Sequence, residues 1–322
     1  MLRKVLIGIA LVVAAALAYG AVGLAWAHRA IEAERAPLPD RTFVTLAAAM
    51  YTDLPVRLSV INTASQPMPR SAVLDPSKDP KPHEPYVMSH PSFAIEWADG
   101  RILLVDVGMT RQGAIDFGRP LEWLAGAAPI QPLGSTAERL GEARKRVQGI
   151  VFTHLHADHV GGINELCAGL DHPVRVFMTD AQAERANYTT SSGLKLVRSA
   201  SCVREERLQA KPLMAVPGFD GVFVIAAGGH TPGSQMVSAV ILPSVEAGAT
   251  GYVFTGDIVN NIDGVTYDIP KPWLYSLLIV PEDGERLAVL RRFLRDLYRG
   301  NNFHLLVSHD QIVLEHGGVP AW

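Results

Sequence analysis

Cysteine is almost absent from this chain. Cys167 and Cys202 are the 2 cysteines in 322 residues, which excludes a disulfide framework and any cysteine-rich zinc site. Two separate buried thiols are the commoner state, with a single bridge open in an oxidising compartment. A basic excess is lacking as well. The formal net charge is -3, with 29 Lys and Arg against 32 Asp and Glu, so the electrostatic footprint of a nucleic-acid partner is missing and none is expected. The short runs Arg144-Lys145-Arg146 and Arg291-Arg292 read as solvated helix faces. No internal repeat stands out.

What the chain has is apolar content. It makes up 48% of the residues, enough for one large core or two modest ones. Much of it is concentrated in Val5 to Ala27, an uncharged run behind Arg3 and Lys4. At about 1.5 Å per residue, a helix of that length crosses a hydrocarbon core of roughly 30 Å. A cleaved secretory signal has a shorter apolar stretch, about 7–15 residues. Residues 1–27 therefore read as a membrane anchor or signal segment, with membrane contact through residues 5–27. The uncleaved anchor is preferred, although Ala25-Trp26-Ala27 fits a cleavage site. Either way the remainder lies outside the cytoplasm, the periplasmic side being favoured. Residues 28–45, polar and containing Ala-Pro-Leu-Pro, read as a linker to a domain over 46–322.

Along that domain, Pro67 to Pro91 reads as a long irregular loop. Pro91–Trp97 and Arg101–Asp106 flank Ala98-Asp99-Gly100, a hairpin signal. Thr136–Arg146 suits an amphipathic helix and Gln148–Phe152 a buried strand. Pro173–Met178 is a further strand, Thr179–Tyr188 a helix, and Gly221–Ala226 another strand. Met236–Leu242 and Gly251–Thr255 pair as a second hairpin. Glu282–Tyr298 is an amphipathic helix and Phe303–Val307 the last strand.

Several of these strands run into a candidate metal ligand. After Gln148–Phe152 comes Thr153-His154-Leu155-His156-Ala157-Asp158-His159, three imidazoles and a carboxylate within six positions. His230, Asp257 and His309 follow the later strands. Imidazole and carboxylate are the ligands that borderline divalent ions such as zinc prefer. Alternate residues of an extended loop project to one side, so His154 and His156 can grip one ion, completed by His230. Asp158 and His159 then serve a second ion with His309, and Asp257 can bridge the two. The expected cofactors are two divalent ions, zinc being favoured by the ligand types. His28, His83, His90, His172, His304 and His316 read as ordinary structural residues.

With Asp106, this ordered set resembles the five motifs of the metallo-β-lactamase-fold hydrolases, over roughly residues 45 to 320. The resemblance implies an α+β fold, an αββα sandwich with metals at its edge, behind the N-terminal transmembrane helix. His156 stands where flavodiiron-type members carry Glu, which disfavours a redox iron site. Asp257 argues against the class B3 β-lactamases, which lack a bridging aspartate. His230-Thr231-Pro232-Gly233 and Ser308-His309-Asp310 look most like N-acyl homoserine lactonases. Those enzymes often place a tyrosine three positions after the bridging aspartate; here the residue is Asn260, an amide that can still bind substrate.

The implied activity is opening of a lactone or related ester, a small-molecule substrate, by a hydroxide shared between two metals. Asp158 and Asp257 are the expected catalytic carboxylates, the first orienting the hydroxide or shuttling a proton and the second setting the metal spacing. Asp106 supports the ligand loop or ends a strand. A thioesterase or phosphodiesterase of the same fold, and a metal-binding membrane protein without turnover, are the alternatives. The apolar stretch Val265–Val280 could wall an acyl pocket, pack on the sandwich, or lie near the membrane.

Overall fold

The computed structural model describes residues 2–32, 35–42, 44, 50–300 and 303–322. Parts of the expected linker, at 33–34, 43 and 45, and the start of the expected domain at 46–49 lie outside the described residues.

Helix α1, Leu2–Glu32, carries the apolar run. It continues for five residues beyond Ala27 without a break. Most of it is exposed, but Ala27 and Ile31 are fully buried where the helix meets the domain.

Among the described residues the strands make two sheets. In the first, β1 (Arg57–Met68), β2 (Tyr86–Glu96), β3 (Ile102–Val105), β4 (Gln131–Pro132), β5 (Val147–Val151), β6 (Val174–Met178) and β7 (Val203–Arg207) are ordered β4-β1-β2-β3-β5-β6-β7. In the second, β8 (Met214–Ala215), β9 (Val222–Ala226), β10 (Gln235–Ile241), β11 (Thr250–Phe254) and β12 (His304–Leu306) are ordered β12-β11-β10-β9-β8. Both expected hairpins form: β2 pairs antiparallel with β3, and β10 with β11.

Alternation along each strand sends residues to opposite faces. In β3, Leu103 and Val105 join Phe93, Trp97, Phe177, Phe219, Val237 and Phe254 in the core between the sheets. Ile102 and Leu104 face the other way, into a layer with Val160, Leu166, Leu194 and Val197 from short helices. The second sheet is covered by a long helix, Gly284–Arg299, through Leu290, Leu294 and Leu297. Helices on both outer faces of two packed sheets make the αββα sandwich. Phe93 and Phe254 meet edge to face across its centre, with ring centroids 4.8 Å apart. Burial of each such ring contributes about 1.5–3 kcal/mol.

Several local expectations are corrected. The region Pro67–Pro91 is not all loop: β1 extends to Met68 and β2 begins at Tyr86. Pro91 is accommodated inside β2 because the β1–β2 register shifts between Asn62 and Ser65, and a bulge frees the position of its ladder hydrogen bond. The helix expected over 136–146 is α-helical only at Thr136–Leu140; Gly141, at φ 55°, turns it into a 3-10 segment through Arg146. The helix at Thr179 is limited to Asp180–Glu184. Arg291 is not solvated but buried, donating to Asp268 at 2.8 Å. Cys167 and Cys202 are not separate thiols. They form a disulfide, because the end of one short helix lies against the residue preceding β7, with Cα atoms 5.2 Å apart.

Candidate metal centre

β3 and β5 are parallel neighbours, as are β11 and β12. Their C-terminal ends therefore open on one edge of the sandwich, where an α/β arrangement builds its sites. Asp106 follows β3, His154 follows β5, Asp257 follows β11 and His309 follows β12.

Asp106 holds the ligand loop in place. It sits at φ 59°, which turns its carboxylate back under the loop. Oδ1 accepts from the Thr153 backbone N–H at 2.7 Å, and Oδ2 from the Thr153 hydroxyl at 2.8 Å. Oδ2 also lies 2.8 Å from His159 Nδ1, which leaves Nε2 of that ring facing the cluster. Gly162 lets the loop close on β3: a Cβ there would lie 2.5 Å from the Val107 carbonyl oxygen.

The residues expected as ligands converge. The His154 ring is 4.5 Å from that of His156 and 4.7 Å from that of His230, centroid to centroid. Asp257 lies between the two halves. Its Oδ2 is 3.7 Å from His154 Nε2, 3.6 Å from His230 Nε2 and 3.0 Å from His309 Nε2. Its Oδ1 is 3.4 Å from His159 Nε2. Asp158 Oδ2 is 3.6 Å from His159 Nε2 and 3.5 Å from His309 Nε2. One group, His154, His156, His230 and Asp257, and a second, His159, Asp257 and His309, each bring their donor atoms within 4.8 Å of one another.

This donor set fits divalent ions. The Nε2 atoms of His154, His156, His159 and His230, and Oδ1 of Asp257, are buried without a hydrogen-bond partner. Buried polar atoms are normally satisfied, and here the orphans face one another. Burial drives His154 and His230 below the ordinary imidazole value and His156 down to about 3, so these rings are neutral, the form that ligates. Burial pushes the Asp158 and Asp257 carboxyls up, but the neighbouring histidines outweigh it and hold both ionised.

Four further residues join the site that sequence reasoning did not pick out. His90, read as structural, lies 3.2 Å through Nδ1 from Asp158 Oδ2. Glu282 was assigned to an amphipathic helix, yet the helix starts at Gly284 with Asp283 as its cap. The Glu282 carboxylate instead accepts from His230 Nδ1 and from Lys271 Nζ, both at 2.6 Å. Lys271 Nζ also donates to the Asp257 carbonyl at 2.5 Å. Burial raises the Glu282 carboxyl, but Lys271 and His230 bring it down to about 2. The single proton of the Tyr86 hydroxyl is shared between the carbonyl oxygens of His309 and Asn260, 2.5 and 2.9 Å away. No short motif carries these contacts; each depends on chain segments far apart.

A cleft of about 780 Å³ leads to His156, Asp158, Asp257 and His309. Asn260 lines it, with Oδ1 buried and unpartnered. Its walls are largely apolar, with Phe117, Leu121, Leu124, Leu274, Leu278 and Ile279 among the lining residues.

Comparison with known proteins agrees with this geometry. The family model for the metallo-beta-lactamase superfamily matches residues 85–300. No curated protein matches the sequence. A quorum-quenching N-acyl homoserine lactone lactonase superposes with a TM-score of 0.60 at 16% identity, covering 83% of this chain and 98% of its own. A mutant of the B. thuringiensis protein AiiA, with N-decanoyl-L-homoserine bound at its active site, gives 0.59 at 16% identity, over 84% of this chain and 98% of its own. A dizinc quorum-quenching lactonase in complex with a product gives 0.50 at 12% identity, over 80% and 90%. At these identities the structural likeness speaks for the fold.

Proposed function

The chain belongs to the metallo-beta-lactamase superfamily, and on that footing we propose that it is a membrane-tethered, two-metal hydrolase that opens lactones or related esters. The observation that carries this reading is the Asp257 carboxylate lying between two histidine groups, in which the buried Nε2 atoms of His154, His156, His230 and His159 lack partners. His154, His156 and His230 would hold one ion, Asp158, His159 and His309 the other, and Asp257 both. When bound, such ions lower the pKa of water and act as Lewis acids toward a carbonyl oxygen; the ligand types favour zinc.

The chain's own groups supply the rest. Asp158 Oδ2, steadied by His90 Nδ1, takes the proton released by attacking water and returns it to the leaving alkoxide. The Asn260 amide lines the cleft and orients the substrate carbonyl by donating a hydrogen bond. Phe117, Leu121 and Leu278 hold an acyl chain and keep water away from it. His230 is oriented by Glu282, and His309 by the Ser89 carbonyl 2.8 Å from its Nδ1.

Two observations favour an anchored protein outside the cytoplasm. The helix runs unbroken through Ala25-Trp26-Ala27 and is fastened to the domain by its last turns. The Cys167–Cys202 disulfide suits an oxidising compartment.

The test uses the full chain purified in detergent, with bound metal counted and hydrolysis followed on acyl lactones, esters, thioesters and phosphodiesters. About two ions per chain and turnover of a lactone or ester are expected. Turnover confined to thioesters or phosphodiesters, or activity surviving chelation and His154→Ala, would overturn the assignment.

A further inference from the structure

We propose that the rim of the active-site cleft is a membrane-docking surface, and that the enzyme takes long-chain acyl amphiphiles directly from the bilayer. This rests on the hydrolase reading above for the word enzyme; the docking itself rests on geometry.

The apolar run of α1 ends at Ala27. The next residue, His28, places Nε2 3.1 Å from the Leu277 carbonyl oxygen. Ala27 and Ile31 are fully buried at the same junction, and Arg35 pairs with Asp283 at 2.9 Å. These contacts fix where the membrane-spanning run ends relative to the segment 272–280. A helix that leaves the bilayer at Ala27 therefore holds that segment at the lipid surface.

The segment has the composition for such a place. Pro272-Trp273-Leu274-Tyr275-Ser276-Leu277-Leu278-Ile279-Val280 contains no charge. Within it Trp273 is 69% exposed, and Leu274, Leu277, Leu278 and Ile279 are exposed as well. A soluble surface seldom carries so many contiguous large apolar side chains, whereas an interfacial segment with Trp at its edge is built this way. Its two hydroxyl residues do not face outward with the leucines: Ser276 is turned inward to Glu282, and Tyr275 lines the cleft. Trp123 is 80% exposed at the end of the helix Arg111–Ala125, beside exposed Leu124, which also lines the cleft.

The same segment forms the cleft. Leu274, Leu278 and Ile279 line the space that reaches His156, Asp158 and Asp257. One stretch of chain thus borders both the bilayer and the pocket, so the pocket mouth opens at the lipid surface. A substrate with a long acyl chain can pass from lipid to pocket along apolar walls without its chain entering water.

The experiment uses the full chain in phosphatidylcholine vesicles. Quenching of tryptophan fluorescence by lipids brominated along the acyl chain is compared between the wild type and Trp273→Phe, the difference isolating Trp273. Rates are then measured for Trp273→Ser/Leu277→Ser on a short-chain, water-soluble ester and on a long-chain ester carried in the vesicles. Neither side chain lines the cleft. We expect bromolipid quenching of Trp273, an unchanged rate on the soluble ester, and a loss of about tenfold or more on the vesicle-borne ester, the equivalent of roughly 1.4 kcal/mol. Absence of Trp273 quenching overturns the docking surface, as does a vesicle rate unaffected by the double substitution. A patch that instead pairs two copies would leave Trp273 unquenched and give a concentration-dependent dimer in detergent. Inactivity on every ester would remove the hydrolase reading, while the quenching result still decides the docking.

Discussion

Glu282→Gln separates the charge of Glu282 from its shape. The glutamate is fully buried and serves three partners: His230 Nδ1, Lys271 Nζ and the Ser276 hydroxyl. Glutamine keeps the volume and removes the charge. His230 then has at most a neutral amide oxygen where it had a carboxylate, and weakening such a partner costs up to about 10–100-fold in metal affinity, or roughly 1.4–2.7 kcal/mol. Lys271, itself only 3% exposed, is left as a buried cation without its counter-charge. Breaking a buried pair from one side destabilises by about 3–5 kcal/mol. The second cost is reduced in Lys271→Met/Glu282→Gln, which removes both charges, while the first cost persists. Zinc affinity by chelator competition and unfolding by urea should therefore separate the two effects. Both single-variant quantities fall; the double variant recovers stability but not affinity. Wild-type zinc affinity in Glu282→Gln would refute the claim that this carboxylate positions His230.

Other outcomes follow from the same contacts. Removing bound metal with a chelator should lower the unfolding free energy, by about 2.7 kcal/mol where free metal stood at 100 times its dissociation constant, read as a fall in the calorimetric midpoint. Reducing the Cys167–Cys202 bridge, which closes a 35-residue separation, should cost about 3–4 kcal/mol in the chain-entropy account, measured by urea titration with and without dithiothreitol. The buried Asp79 carboxylate accepts from Arg70 at 2.9 Å, and that bond holds its pKa below the ordinary range. A depressed folded-state pKa contributes stability above the unfolded value, near 3.9, and that contribution fades as pH falls below it. Asp79→Asn should thus be less stable than the wild type at pH 6 and the gap should narrow toward pH 3. Tyr86→Phe leaves the His309 and Asn260 carbonyls without their shared donor and should cost about 1–3 kcal/mol, followed by thermal unfolding.

The layered fold was legible wherever strands alternate or end in turn residues. Asp99-Gly100 marks the β2–β3 hairpin, and Gly100 adopts φ 88° there. The tract between Pro67 and Pro91 misleads because its prolines have tertiary solutions. Pro67 pairs with Val87, and Pro91 stands opposite Asn62 beside the register shift. Near that shift side chains replace the ladder: the Thr63 hydroxyl donates to the His90 carbonyl at 2.6 Å, and the His90 N–H donates to Asn62 Oδ1 at 2.9 Å. Local propensity carries no trace of a bulge whose hydrogen bonds come from the neighbouring strand. The disulfide is hidden for a similar reason, since 35 positions separate its halves and only the sandwich brings them together.

The candidate site divides along the same line. His154, His156, Asp158 and His159 are close in sequence because a single loop presents them, so their chemistry is visible as a string. His230, Asp257 and His309 each follow a strand; β11 and β12 are parallel neighbours, and β9 runs the same way because it and β11 both pair antiparallel with β10, so all three strands end at one edge. Nothing comparable announces the residues that orient them. His90 reaches Asp158 from β2, beside the β1–β2 register shift, and Glu282 reaches His230 because Asp283, not Glu282, caps the following helix. Asp283 accepts the Arg286 backbone N–H, which frees Glu282 from the helix and leaves it pointing inward. Supporting residues of this kind are set by packing and register, so no local pattern in the sequence marks them. The apolar segment after Asp257 is likewise decided by its neighbours. Its composition alone allowed a pocket wall or a membrane contact, and the position of His28 against Leu277 makes the two readings compatible in one stretch of chain.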